Sequence, residues 1–189
     1  MNAPANVPLD TKLSSNVTIR QYRRLEKAEN QKAIAEFIKG RFTERYIVPL
    51  KSENENGFCT MAICCIMIEA LESFWRGWSD TRNRSELAFC SFFSRSDELK
   101  DFLKHTHDFY THIRCGLLHQ AETTGGWRIR RQGQLIDAVA KTINASLFHN
   151  RLEKSVQKYY ESLIKATWND TIWQNLRKKM NAICRNCGT

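Results

Sequence analysis

Arg114 and His119 are the two residues whose types and spacing best fit a chemical role in this sequence. A histidine can take or give a proton near neutral pH, and an arginine carries a permanent positive charge. Side by side, the two groups meet the minimum need of phosphodiester cleavage: one for proton transfer and one for the charge on phosphorus. The alternative is a cation at a helix C-terminus followed by a histidine in a loop.

Positive charge is concentrated in the C-terminal part of the chain. The formal net charge is +9, and residues 123–189 carry 12 Lys and Arg against four Asp and Glu. This asymmetry favours a polyanion partner, nucleic acid rather than a membrane, although a solvated basic helix without a partner gives the same pattern. The candidate substrate-positioning residues directly follow the Arg–His pair: Thr123, Trp127, Arg128, Arg130 and Arg131.

Other common catalytic and metal-binding signatures are missing from the sequence. It has no glycine-rich phosphate loop, no pair of histidines at helical spacing on a glutamate-bearing helix, and no serine elbow. Cys184 and Cys187 form a C-x-x-C motif, but a zinc site needs four ligands and no second half accompanies them. We therefore expect neither a metal site nor a cofactor, and zinc is the less favoured alternative for the two cysteines.

Cysteine usage and the N-terminus favour a cytoplasmic protein. The seven cysteines include the adjacent Cys64 and Cys65 within an apolar run, which suits reduced thiols in a core better than disulfides. Residues 1–10 lack the basic and apolar regions of a secretory signal. The run from Phe58 to Ile68 is shorter than the roughly 18 residues of a membrane span, so it indicates a buried core helix and no membrane partner.

Hydrophobic periodicity, with only eight Gly and three Pro, predicts a mostly helical chain. Helices are expected over residues 18–29, 30–49, 58–78, 85–93, 96–115, 135–164 (one helix or two) and 170–184. The segment 120–132 is expected to be a loop or a short extended excursion. We expect the helix with Arg114 to end at Cys115, with Gly116 left-handed, so that His119 can swing back toward Arg114.

The segment from Arg114 to His119 resembles the signature of the HEPN superfamily: an Arg, usually a polar residue, three variable residues and a His at the end of a core helix. Cys115 stands where that family commonly has Asn, Asp or His. The resemblance covers roughly residues 30–166, including the apolar helix with Glu69 and Glu72. It implies an all-α, HEPN-like antiparallel helical bundle with additional terminal helices. Its parts are an arm with a short helix (1–29), the HEPN-like domain (30–166), and a C-terminal helix and tail packed on that domain (167–189).

The resemblance also implies a function. Many members of the family are metal-independent ribonucleases, often in defence or toxin–antitoxin systems, and they dimerise so that two motifs line one cleft. We therefore expect an endoribonuclease acting on RNA as a homodimer, with the motif at the interface and an antitoxin or other protein as a further partner. Arg114 would hold the scissile phosphate, His119 would transfer protons, and the five residues from Thr123 to Arg131 named above would bind the RNA.

The residues allow alternatives both for the role of Glu69 and for the function. Glu69 could orient Arg114 or His119 from the neighbouring helix, or it could be an ordinary surface or salt-bridged carboxylate. The chain could also be a catalytically inert module of the same fold that binds RNA, a nucleotide or a protein partner. A basic helical DNA-binding protein is less favoured, because no helix-turn-helix spacing with a distinct recognition helix is present.

Overall fold

The computed structural model describes residues 8–51 and 56–187. Helices make up most of these residues, and a small three-stranded sheet packs beside them. The predicted helical character is confirmed, but a purely helical chain is not, because the sheet was not expected. The first seven residues of the N-terminal arm, residues 52–55 and the last two residues of the tail lie outside the described residues.

The described part of the expected N-terminal arm, residues 8–18, is held against the helices. Leu13 is fully buried. Its carbonyl oxygen accepts hydrogen bonds from Arg41 and Arg45. The carboxylate of Glu44 accepts the backbone and hydroxyl hydrogen bonds of Ser15. One buried leucine among polar residues gives no periodic signal, so this attachment could not be inferred from the pattern.

Helices α1 (Ile19–Lys27) and α2 (Gln31–Phe42) each begin at a side-chain cap. Thr18 and Gln21 form a capping box at α1, and the side chain of Asn30 caps α2 by accepting a hydrogen bond from the backbone N–H of Ala33. The chain leaves α2 through a π-helical segment, Thr43–Ile47, and a 3₁₀ turn, Val48–Leu50. The helix therefore loses its α geometry before the proline at position 49, close to where the sequence predicted its end.

Helix α3 (Gly57–Arg76) is an apolar helix of 20 residues that begins at the side-chain cap Asn56. By length and composition alone it could cross a membrane, but 56% of its most apolar window is buried within the fold. Cys64 and Cys65 are fully buried in it, as expected of a core helix. It ends at Gly77, which is left-handed with φ 67°.

The chain between α3 and the sheet is a series of short helical segments. Helix α4 (Ser85–Arg95) is followed by a 3₁₀ helix, Lys100–His105, and a single turn, α5 (Thr106–Asp108). A π-helical segment, Phe109–Cys115, then leads into the short helix α6 (Gly116–Gln120). These segments replace the single helix expected over 96–115.

An aromatic cluster anchors the π-helical segment to the core. The cluster consists of Phe93, Phe102, Phe109 and Phe148. The centroids of its contacting rings lie 5.0–5.6 Å apart, a spacing typical of favourable aromatic contacts. All four side chains are fully or almost fully buried. The backbone that carries Arg114 therefore rests on a rigid base.

Two of the three short strands, β2 (Ile136–Asp137) and β3 (Thr142–Asn144), replace the first part of the helix expected over 135–164. Strand β1 (Arg128–Arg130) pairs in parallel with β3, and β2 pairs antiparallel with β3. Asp137 accepts hydrogen bonds from two backbone N–H groups in the turn after β2. The extended stretch expected in segment 120–132 is present as β1.

Helices α7 (Ala145–Lys165) and α8 (Thr171–Asn186) complete the described fold, and α3 packs against both. The side chain of Asn144 caps α7, and the indole N–H of Trp173 in α8 donates to the Leu163 carbonyl oxygen at 3.0 Å. Helix α3 is also tied to α4, because its fully buried Glu72 pairs with Arg95. An ion pair that buries one carboxylate completely is costly to break, so it fixes the two helices relative to each other.

Candidate active site

Arg114 and His119 are in contact. Nη1 of Arg114 lies 3.3 Å from Nε2 of His119. Arg114 belongs to the π-helical segment and His119 to α6. The Arg114 side chain is 17% exposed and His119 is exposed, so the pair can be reached from solvent.

The two residues meet by a different route from the one expected. Gly116 is right-handed helical, with φ −57°, and the helix runs on to Gln120 before Ala121 becomes left-handed at φ 55°. In a continuous α-helix, residues five apart would point about 140° from each other. The hydrogen bonds of a π-helix join residues five apart, so its turn is wider than that of an α-helix. The π-helical segment ends just before Gly116. Its wider turn and the long side chain of Arg114 bring the guanidinium to the imidazole of His119.

Gly116 is needed for close packing rather than for a left-handed turn. A Cβ atom at this position would lie 2.5 Å from the carbonyl oxygen of Glu122, a distance that real Cβ atoms do not show. The loop after α6 can therefore fold back against the helix only because position 116 has no side chain. A 2.9 Å side-chain hydrogen bond between His112 and Thr124 also holds this loop.

Glu69 of α3 orients Arg114. Its Oε1 accepts a hydrogen bond from Nε of Arg114 at 3.0 Å, and the two groups form an ion pair. Its Oε2 accepts hydrogen bonds from the hydroxyl groups of Thr81 and Ser85. Both oxygens of the carboxylate are thus engaged, so Glu69 is a salt-bridged residue whose partner is the candidate catalytic arginine.

The environment keeps Arg114 charged. Burial lowers the pKa of the guanidinium, but the ion pair and hydrogen bond with Glu69 outweigh this effect, and the pKa lies above its ordinary value. The ring of Tyr110 lies 5.6 Å from the guanidinium carbon, and Sγ of Cys115 lies 3.9 Å from Nη1. Arg114 is therefore a fixed cation whose Nη1 is directed toward the histidine.

The geometry of the pair defines its chemistry. A guanidinium N–H can only donate, so its contact with Nε2 of His119 fits an imidazole whose Nε2 carries a lone pair. That nitrogen can accept a proton, and the adjacent guanidinium can donate hydrogen bonds to an anionic oxygen. Proton transfer and charge stabilisation are thus available within one site about 3 Å across.

The five predicted substrate-positioning residues fall into two groups. Trp127 is buried, and Thr123 donates to its carbonyl oxygen at 2.5 Å, so these two residues shape the loop after α6. Arg128, Arg130 and Arg131 are exposed on and just after β1. Because side chains alternate along a strand, Arg128 and Arg130 share one face of β1.

Two separate clefts lie near these groups. Arg130 and Arg131 line an open cleft of about 490 Å³ together with Gln132 and Ser146. A second cleft of about 290 Å³ lies beside Arg114, and no residue lines both. The fold therefore does not bring the basic strand and the Arg–His pair into one pocket.

The second cleft contains residues that the sequence did not single out. Thr81, from the segment after α3, and Lys179 of α8 both line it. Neither belongs to a motif, and each reaches the site through tertiary packing. In the sequence, Lys178 and Lys179 belong to the basic C-terminal part of the chain, and no spacing pattern links either lysine to Arg114.

Comparisons of the chain with protein-family models, with curated proteins and with solved structures gave no match. Within residues 8–51 and 56–187, no three His, Cys, Asp or Glu side chains are grouped closely enough to hold a metal ion. Of the two C-x-x-C cysteines, Cys184 is buried and Cys187 is exposed.

Proposed function

We propose that this protein is a metal-independent endoribonuclease of the HEPN type, acting on RNA in the cytoplasm in a defence or toxin–antitoxin setting. The observation that carries the proposal is the 3.3 Å contact between Arg114 and His119, with Arg114 oriented by Glu69. The sequence resemblance supplies the reaction class. The contact supplies a proton acceptor beside a fixed cation, which that reaction requires.

The proposed reaction is an intramolecular transesterification. When RNA binds, Nη1 of Arg114 turns from Nε2 of His119 to the phosphate, which leaves the Nε2 lone pair free. Nε2 then takes the proton of the 2′-hydroxyl, the 2′-oxygen bonds to phosphorus, and the bond from phosphorus to the 5′-oxygen breaks. Arg114 donates hydrogen bonds to the non-bridging oxygens, whose negative charge grows in the transition state. The leaving 5′-oxygen receives a proton from an imidazolium or from water. The products are a 2′,3′-cyclic phosphate and a 5′-hydroxyl.

The basic strand supports RNA as the substrate. Arg128, Arg130 and Arg131 make no ion pair within the described part of the chain. Their charges are available to phosphates, and neutralising a phosphate releases condensed counterions. In this proposal Arg128, Arg130 and Arg131 hold the strand, while Thr123 and Trp127 act through the shape of the loop.

A homodimer is part of the same proposal. Each chain supplies a single Arg114 and a single His119 to the site, whereas cleavage uses both a proton acceptor and a proton donor. A second copy related by a two-fold axis would bring the second pair to one cleft. The exposed position of His119 near the end of α6 is compatible with that interface. An antitoxin or other protein would be a further partner.

The alternative is an inert module of the same fold that binds RNA, a nucleotide or a protein. One feature favours it: Cys115 provides a thiol where the HEPN family, which the motif resembles, commonly has a polar side chain. A binding module needs the cation but no proton transfer. The two functions differ in whether RNA is cut.

The deciding experiment is cleavage of single-stranded RNA in the presence of EDTA, with an all-deoxy strand of the same sequence as the control. We expect the RNA to be cut in chelator and to end in a 2′,3′-cyclic phosphate, detected by mass spectrometry, and the DNA to stay intact. The reason is that the nucleophile is the 2′-hydroxyl and the stabilising cation is Arg114. Cleavage of the DNA, or cleavage only with added divalent metal, contradicts this mechanism. If the protein binds RNA but never cuts it, the inert binding module is the better assignment.

A further inference from the structure

The cleft beside Arg114 is the strongest unassigned feature of the described molecule. It has a volume of about 290 Å³ and lies between α3, the segment after α3, α6 and α8. This size is at the lower end of small-molecule sites. Because Arg114 forms part of its wall, any group that fills the cleft lies next to the candidate catalytic cation.

Helix α8 is fixed so that Lys179 reaches this cleft. The side-chain amide of Asn175 donates to the carbonyl oxygen of Trp75 at 2.7 Å. Gly77 packs directly against Asn175, since a Cβ at Gly77 would lie 2.8 Å from its Oδ1. One turn further along α8, Nζ of Lys179 donates to the Ser79 carbonyl oxygen at 2.8 Å. The lysine is therefore held in place rather than free in solvent.

Lys179 forms no direct ion pair within residues 8–51 and 56–187. The carboxylate of Asp80 lines the same cleft and acts on the ammonium through its charge alone. Burial lowers the pKa of this ammonium, and the charge of Asp80 offsets the effect only in part. A half-buried cation of this kind gains from an anionic ligand such as a phosphate.

The other side of the cleft is apolar. Ile66 and Leu118 are 46% and 39% exposed, although most large apolar side chains of the described chain are buried. Together with Ala70 they line the same cleft as Lys179 and Arg114. Two carboxylates, Glu69 and Asp80, also line the cleft. Because Glu69 is paired with Arg114, Lys179 is the cation that can bind a phosphate within the cleft, while the apolar wall can contact the flat base of a nucleotide.

We propose that this cleft is a nucleotide subsite, in which Lys179 binds the phosphate next to the scissile one and the base of that nucleotide packs against Ile66, Ala70 and Leu118. The inference rests on the proposed ribonuclease function and deepens it, because it makes α8 part of the substrate-binding surface. Arg114 contacts the scissile phosphate from one end of the cleft, and Lys179 contacts the neighbouring phosphate from α8.

The test compares Lys179→Gln with Lys178→Gln, both in a His119→Ala background that prevents cleavage. Lys178 is exposed on the same helix, so it controls for the loss of one charge. Glutamine removes the charge at 179 and keeps an N–H donor. The probe is a fluorescein-labelled single-stranded RNA, titrated at several salt concentrations. We expect Lys179→Gln to weaken binding about tenfold and to reduce the salt slope by about 0.7, and Lys178→Gln to change neither.

Two further measurements separate binding from folding. Lys179→Arg keeps the charge and should retain the affinity and the slope, while circular dichroism and thermal melting show whether each variant is folded. RNAs carrying a single neutral methylphosphonate at successive positions identify the contacted phosphate. At that position alone, the affinity difference between the parent and Lys179→Gln should disappear.

The outcomes distinguish the subsite from the proposed function. RNA that is bound and cut by the wild-type protein, with Lys179→Gln behaving like Lys178→Gln, overturns the subsite and leaves the ribonuclease proposal standing. A His119→Ala protein that binds no RNA, together with a wild-type protein that cuts none, overturns both. An equal effect of Lys179→Gln at every methylphosphonate position shows a diffuse charge effect and also overturns the subsite.

Discussion

Arg114 and His119 carry separate tasks, so removing either should cost most of the activity. We expect His119→Ala and Arg114→Ala each to slow RNA cleavage by about 100- to 1000-fold, because one change removes the proton acceptor and the other the charge-stabilising donor. The measurement is single-turnover cleavage at saturating RNA. His107→Ala is the matched control, since His107 is exposed and pairs only with the exposed Glu86 within the described chain.

The folded state must be shown for each variant. Helical circular dichroism should match the wild type, because neither side chain belongs to the apolar core. Arg114→Ala also breaks the ion pair with Glu69, so its melting temperature should fall below that of His119→Ala. A His119→Ala protein that cuts RNA at the wild-type rate would overturn the assigned role of the histidine. In a toxin setting, wild-type protein should also be harder to express than His119→Ala.

Glu69 is a positioning residue for Arg114. A glutamine at this position has nearly the same shape but no charge, so it tests the ion pair separately from the hydrogen bond. Glu69→Gln keeps an oxygen for Nε of Arg114 but loses the ion pair, so we expect cleavage to slow by roughly tenfold while the KM for RNA changes little. Glu86→Gln, which alters an exposed carboxylate, serves as control. Equal rates for Glu69→Gln and wild type would show that the ion pair does not orient the arginine for catalysis.

At the scale of elements, periodicity predicted the long amphipathic helices but not the sheet. Ile136 and Ile143 fit a helical spacing as well as they fit a pair across β2 and β3, so the pattern could not separate the two. The π-helical segment also has no periodic signature, because it depends on how the aromatic cluster packs. The sequence thus identified the Arg–His pair while giving Gly116 the wrong role.

Strand β1 is the element expected to hold RNA. Arg128→Glu combined with Arg130→Glu should weaken RNA binding and lower the salt slope by about 1.4, since each phosphate contact with a single strand contributes about 0.7. Lys27→Glu combined with Lys165→Glu is the control, because both lysines are exposed on other elements. Fluorescence anisotropy at several salt concentrations gives the slopes. An unchanged slope in the β1 variant would mean that these arginines form only a solvated surface.

At the scale of the whole molecule, the proposed active form contains two copies of the chain. We expect a homodimer in solution, measured by light scattering coupled to size-exclusion chromatography at micromolar concentration, because two copies bring two Arg–His pairs to one cleft. Mixing His119→Ala with Arg114→Ala should show whether the pairs cooperate across the interface. A monomer that still cuts RNA would rule out the shared cleft without affecting the roles of the two residues.

Helix α3 carries the carboxylates of two ion pairs, one with Arg114 and one with Arg95, and they lie so close together that one change in the helix affects both. Glu69, which orients Arg114, and Glu72, which pairs with Arg95 in the core, lie less than one helical turn apart. A one-residue insertion earlier in α3 would rotate both by about 100° relative to their partners. Such an insertion would break both ion pairs at once, so the position of Arg114 and the contact between α3 and α4 depend on the same helical register.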